Sequence, residues 1–248
     1  MSTDREQTFL FHLGELRNRI LHSLACVLIV FIPLSLVSGE LYSALATPLV
    51  NQFLPENRMI ATEVAATFIV PIKLAFYLAI MLSMPYVLYQ AWAFIAPGLY
   101  SKERKIALPL LCISIFLFYL GIIFAYFVIF PVVFGFFIAI TPEGVTVMTD
   151  ISRYLDFIMK LSMAFGLAFE VPVITLLVVA AGITTTDKLR AGRPYIIVAA
   201  FVIGMLLTPP DILSQILLAI PVWLLFELGL LISVRYGHHG HEKDTEAS

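Results

Sequence analysis

The chain has 248 residues, 60% of them hydrophobic and 13% charged, with a formal net charge of −2 and a mean hydropathy of +0.97. A soluble domain carries about 25% charged residues, so this composition excludes one and points to an integral membrane protein with little mass outside the bilayer. The net charge carries no signal for nucleic acid, and no nucleic acid is expected as a partner.

Residues 1–20 are polar and mixed in charge, without the pattern of a cleavable signal peptide. Within them, Phe9, Leu13, Leu16 and Ile20 form one apolar stripe of a helix, while His12, Glu15 and Arg19 share another face. That pattern predicts an amphipathic helix on the inner membrane surface. Glu15 and Arg19 are spaced i, i+4, so an ordinary helical ion pair explains them equally well.

Apolar runs of about 20 residues are long enough to cross a ~30 Å hydrocarbon core as helices. Runs without alternation exclude a barrel. The expected spans are 21–40, 74–96, 107–136, 157–180, 195–209 and 213–234, one polytopic domain over 1–236. The fold class is therefore an all-α membrane protein of six transmembrane helices.

Between the second and third spans lies Lys102-Glu103-Arg104-Lys105, flanked by Leu74–Ser101 and Ile106–Pro142, which carry no charge. Basic residues there need only topology as their explanation. Glu103 does not help topology, and a carboxylate at that depth suits a cationic ligand. Ile106–Pro142 could be one tilted helix or two cramped ones. The positive-inside rule favours one, because six spans with the N-terminus inside put eleven of the fifteen Lys and Arg residues on the cytoplasmic side. Both termini are then cytoplasmic.

Glu170, near the middle of the fourth span, is the sharpest single signal within the apolar runs. A charge at bilayer centre costs at least ~2.5 kcal/mol, so its side chain is expected to face protein, water or a polar partner, or to be protonated. A proton relay, a partner contact and a satisfied structural hydrogen bond all remain open. Pro172 removes a backbone donor and weakens the helix beside it. The fifth span, about 15 residues and ~22 Å long as helix, falls short of the core thickness. Thr208-Pro209-Pro210-Asp211 reads as the turn to the sixth span. Glu227 sits near the cytoplasmic end of that span, shallow enough to snorkel. The tail 237–248 reads as disordered.

Enzyme chemistry is not encoded. All five histidines lie near the chain ends, no aspartyl dyad is available, and no glycine-rich phosphate loop occurs. Cys26 and Cys112 lie in apolar spans and give no disulfide framework. His238, His239 and His241 lack the organisation of a metal site, so no metal and no cofactor are expected.

Several blocks resemble the TatC family of the twin-arginine protein translocase, over about residues 9–235. They are His12-Leu-Gly-Glu-Leu-Arg17, Pro48, Phe94 through Arg104, Phe118-Tyr-Leu-Gly121, Ala125-Tyr-Phe127 with Phe130-Pro131, Phe165 through Pro172, and Leu207 through Asp211. The resemblance implies a receptor in the inner membrane for folded cargo whose signal peptides carry two consecutive arginines. It implies that Glu15 and Glu103 engage that pair, with Arg17, Phe94, Leu99 and Tyr100 beside them. Guanidinium groups bind carboxylates through a planar fork that lysine lacks, which accounts for a preference for arginine.

The resemblance further implies single-span TatA-type and TatB-type partners, docked on the short fifth and sixth helices near Met205, Thr208 and Gln215, and self-association in a larger complex. Glu170 would supply intramembrane polarity, and Pro48 and Asp211 would be structural positions on the outer side. Transport would draw on the proton-motive force. The rival reading is a proton-coupled small-molecule transporter that uses Glu170 as its relay.

Overall fold

Ser2–Leu36 forms a single helix, α1, in the computed structural model, which describes residues 2–44, 59–95, 107–140, 149–207 and 212–245. Side chains are placed over 13–44, 60–95, 108–140, 150–206 and 215–235. The surface helix and the first span expected as separate pieces are thus one continuous helix. Gly14 is the only weak point between them, and a lone glycine costs only ~1 kcal/mol in a helix interior.

The chain divides into two compact units, one of residues 1–98 with 149–152 and one of 99–148 with 153–248. In the first unit, α1 packs on α2 (Ala66–Ile95). Arg19 reaches Gln90, and the rings of Phe31 and Phe76 meet edge to face at 5.4 Å. Pairing of an early with a late position, and a late with an earlier one, makes the two helices antiparallel. α2 begins at Ala66 rather than at 74, so Lys73 lies inside a helix instead of in the first outer loop. Ala75 and Ala79 of α2 are fully buried, and such small side chains permit close helix approach in membranes.

Outside the helices, β1 (Met59–Ile60) and β2 (Thr149–Asp150) pair in parallel. Asp150 holds this junction. Its Oδ2 accepts from the backbone N–H and the hydroxyl of Thr62 at 3.0 and 2.6 Å, and its Oδ1 accepts from the Ser152 N–H at 2.9 Å.

The second unit starts with α3 (Ala107–Phe124), a π-helical turn (Ala125–Ile129) and α4 (Phe130–Ala139). They run on without interruption, so one long span replaces the alternative of two cramped ones. The π turn has a local cause. Pro131 has no N–H and its ring crowds the carbonyl four residues earlier, and the Phe130 N–H bonds to the Ala125 carbonyl instead of following the α register.

The helix after β2 runs as α5 (Ile151–Ala168) and α6 (Val171–Ala180), with the break at Phe169–Glu170. Pro172 in the first turn of α6 accounts for that break. The α3–α5 crossing is made by glycines. A Cβ on Gly121 would collide with the Phe165 backbone, and one on Gly166 would lie 2.7 Å from the Phe118 ring.

α6 ends in a Schellman motif, with Gly182 at φ 67°, the Ile183 N–H on the Val178 carbonyl and the Gly182 N–H on the Val179 carbonyl. α7 (Thr186–Ala191), capped by Thr185, leads into α8 (Arg193–Leu207). α9 (Ile212–Thr245) packs against α6 and α8. Its Gly229 meets Pro172 closely, since a Cβ there would lie 2.7 Å from Pro172 Cα. α9 continues through 237–245, where composition predicts a disordered tail. Five helical segments are long and apolar enough to cross a membrane, and α8 is the shorter apolar helix among the described residues. The protein is an all-helical, multi-span membrane protein.

Candidate functional site

Glu15 projects from α1 into a cleft of about 860 Å³ lined by α1 and α2. The α1 wall is Gly14, Glu15, Asn18, Arg19 and His22, and the α2 wall is Tyr86, Tyr89 and Gln90. Helical spacing explains both sets. Residues 15, 18, 19 and 22 recur every three or four positions, as do 86, 89 and 90, so each set forms one face.

The carboxylate is not isolated. Arg19 donates to Glu15 Oε1 through Nε at 3.0 Å and Nη2 at 2.6 Å, with both side chains about one-quarter exposed. Its remaining terminal nitrogen, Nη1, donates to Gln90 Oε1 at 3.3 Å. Gln90 is oriented in turn by the bond from its Nε2 to the Tyr86 hydroxyl at 2.7 Å. The rings of Tyr86 and Tyr89 lie 6.2 Å apart and are partly exposed along the cleft. His22 donates from Nδ1 to the Asn18 carbonyl at 2.6 Å. One carboxylate, a glutamine amide and two tyrosines make a site suited to a guanidinium, and one guanidinium already occupies it.

The other expected site residues divide into two groups. Arg17 is exposed, with Nη2 donating to Asn18 Oδ1 at 3.4 Å, and it does not line the cleft. Phe94 is half-buried, one turn beyond Gln90 on α2. Leu99, Tyr100 and Glu103 lie outside the described residues, as do Pro48, Thr208 and Asp211.

Glu170 is buried at the break between α5 and α6. Its Oε2 accepts a short hydrogen bond from the Ser114 hydroxyl on α3, while Oε1 is buried without a hydrogen-bond partner among the described residues. Met205 is exposed on α8, and Gln215 turns its amide back to donate to the Phe201 carbonyl at 2.8 Å. Glu227 does not snorkel alone but pairs with Arg193 at the start of α8. No group of three metal-binding side chains occurs among the described residues.

Sequence reasoning missed Gln90, Tyr86 and Tyr89. Their signal was present, because a glutamine inside an apolar span needs a polar partner and the two tyrosines share its helical face. What sequence does not encode is that this face meets Glu15 and Arg19.

A family model described as Sec-independent protein translocase protein (TatC) matches residues 11–221. A protein of that name from Azotobacter chroococcum is 52% identical over 237 residues, covering 95% of this chain and 92% of the relative. Another from Escherichia coli K12 is 49% identical over 244 residues, covering 98% and 95%. A crystal structure titled twin arginine translocase receptor TatC superposes with a TM-score of 0.81 at 35% identity, covering 90% of this chain and 97% of that one. Matched along nearly its whole length in both sequence and fold, the chain belongs to the TatC family of Sec-independent protein translocase proteins.

Proposed function

We propose that this chain is the receptor and core subunit of a twin-arginine translocase, a transport component rather than an enzyme, which recognises signal peptides bearing two consecutive arginines. The observation that carries this reading is the Glu15 cleft. Its carboxylate already holds a guanidinium through two N–H donors, the chemistry that an arginine of a signal peptide presents. Glu103 supplies the second carboxylate, and Arg17, Phe94, Leu99 and Tyr100 contribute the surroundings of the bound peptide.

The topology that fits this role is a single domain, 1–236, of six spans with both termini in the cytoplasm. Short α8 counts as the fifth span, and the cytoplasmic excess of Lys and Arg supports the orientation. The membrane is the cell inner membrane. Single-span TatA-type and TatB-type partners dock on α8 and α9 near Met205, Thr208 and Gln215, and further copies of the chain join the complex. Glu170 provides polarity at mid-membrane for the same apparatus, and the proton-motive force drives export.

The test is site-specific crosslinking of a radiolabelled twin-arginine precursor to membranes containing wild-type, Glu15→Ala, Glu103→Ala or doubly substituted protein at matched levels. Each single variant is expected to lose most of the adduct and the double variant nearly all. Undiminished crosslinking in all three rejects the carboxylate site.

A further inference from the structure

We propose that Arg19 is an internal competitor for Glu15, so that a twin-arginine peptide enters the α1–α2 cleft by exchanging its own guanidinium for the resident one. The inference rests on the reading of Glu15 as a group that binds arginine.

Three observations converge on the exchange. Arg19 makes with Glu15 the contacts an incoming arginine would make, Nε and Nη2 both on Oε1. The i, i+4 spacing makes this pairing intramolecular, so it forms whenever the ligand is absent. Both side chains remain about one-quarter exposed, which keeps the pair weak enough for a ligand to displace.

The released guanidinium also has a destination. Gln90 Oε1 already accepts from Arg19 Nη1, and the Tyr86 hydroxyl holds that amide in place, so Arg19 can leave Glu15 while keeping a polar partner. The neighbouring Tyr89 ring is half exposed and offers a π face to a second cation in the cleft.

Exchange has a defined thermodynamic consequence. Every ligand must displace the same resident group, so Arg19 lowers the affinity of all cationic ligands by one common factor and leaves their ranking unchanged. The preference for an arginine fork over a lysine ammonium then comes from Glu15 itself and not from Arg19.

The experiment titrates fluorescent twin-arginine and twin-lysine signal peptides into the purified full-length protein in detergent, using wild type, Arg19→Gln, Arg19→Lys, Glu15→Gln and the double variant Glu15→Gln/Arg19→Gln. Arg19→Gln is expected to tighten both peptides by about twofold to threefold, the range an exposed i, i+4 pair sets. Arg19→Lys keeps the charge but loses the planar fork, so it should retain part of the gain. A purely repulsive role for Arg19 predicts no gain there and would overturn the exchange. In the double variant the gain should vanish, measured against Glu15→Gln alone.

Weaker or unchanged binding in Arg19→Gln, with binding reduced in Glu15→Gln, overturns the exchange and leaves the receptor site standing. Unchanged binding in Glu15→Gln overturns the assignment of Glu15 and the exchange with it. Arg19→Lys serves as the deciding variant where Arg19→Gln does not accumulate as folded protein.

Discussion

Arg193 and Glu227, 34 positions apart in sequence, meet in a two-pronged ion pair, with Nε 2.7 Å from Oε1 and Nη2 2.8 Å from Oε2. The contact joins the first residue of α8 to the interior of α9. Farther along the same two helices, Gln215 donates to the Phe201 carbonyl, and Gly204 lets α9 approach, since a Cβ there would lie 3.2 Å from Gln215 Cγ. A helix too short for the bilayer is thus held to its neighbour at two levels by polar contacts.

Arg193→Ala leaves Glu227 without its cation inside an apolar helix. Bidentate geometry argues for a cost above that of an ordinary surface pair, about 1–2 kcal/mol, or a fall of about 3–6 °C in apparent Tm for a chain of this size. The exchanged pair Arg193→Glu with Glu227→Arg should recover at least half of that loss. Thermal unfolding in detergent, followed by intrinsic fluorescence, measures both, and additive losses in the exchanged pair would show that the two side chains are not coupled.

The glycine crossing of α3 and α5 makes a different prediction, because the two glycines meet different obstacles. A methyl on Gly121 strikes the Phe165 backbone, which cannot rotate away, whereas a methyl on Gly166 strikes the Phe118 side chain. Gly121→Ala and Gly166→Ala should each destabilise by about 1–3 kcal/mol through overpacking. Phe118→Leu should rescue Gly166→Ala and fail to rescue Gly121→Ala. Accumulation of folded protein in membranes and its apparent Tm report the outcome, and rescue of both variants would contradict the assigned contacts.

Glu170 separates stability from transport. Removing the Ser114 hydroxyl leaves a buried carboxyl group without its hydrogen bond, so Ser114→Ala should cost about 1 kcal/mol, the scale of intramembrane hydrogen bonds. Glu170→Leu combined with Ser114→Ala removes both polar groups and should restore most of the stability. If Glu170 serves the translocation apparatus, export of a twin-arginine precursor by this double variant stays low although the protein is stable. Full export would make the residue a structural one.

Much of the architecture was legible because the bilayer constrains a chain so strongly. Apolar run length located the helical segments, and Pro172 beside Glu170 marked a break that the structure forms at Phe169–Glu170. Helix ends were less legible. α2 starts at Ala66 and α5 at Ile151, both earlier than apolarity alone predicts, because helix and hydrocarbon need not end together. Asp150 caps the start of α5 by accepting from the Ser152 N–H, and is itself held by Thr62 far away in sequence, a contact that no local pattern announces.

The same division runs through the site. Sequence by itself determined that this is a helical membrane protein, that Glu15 stands on a helical face with Arg19, and that Glu170 is a carboxyl group buried in an apolar segment. These follow from composition and helical period, which are local properties. Only the tertiary structure decided that Gln90, held by Tyr86, closes on Arg19, that Glu227 takes Arg193 as its partner, and that Glu170 rests on Ser114. Such partnerships depend on which helical faces pack together, and packing is a property of the whole fold that no window along the chain contains.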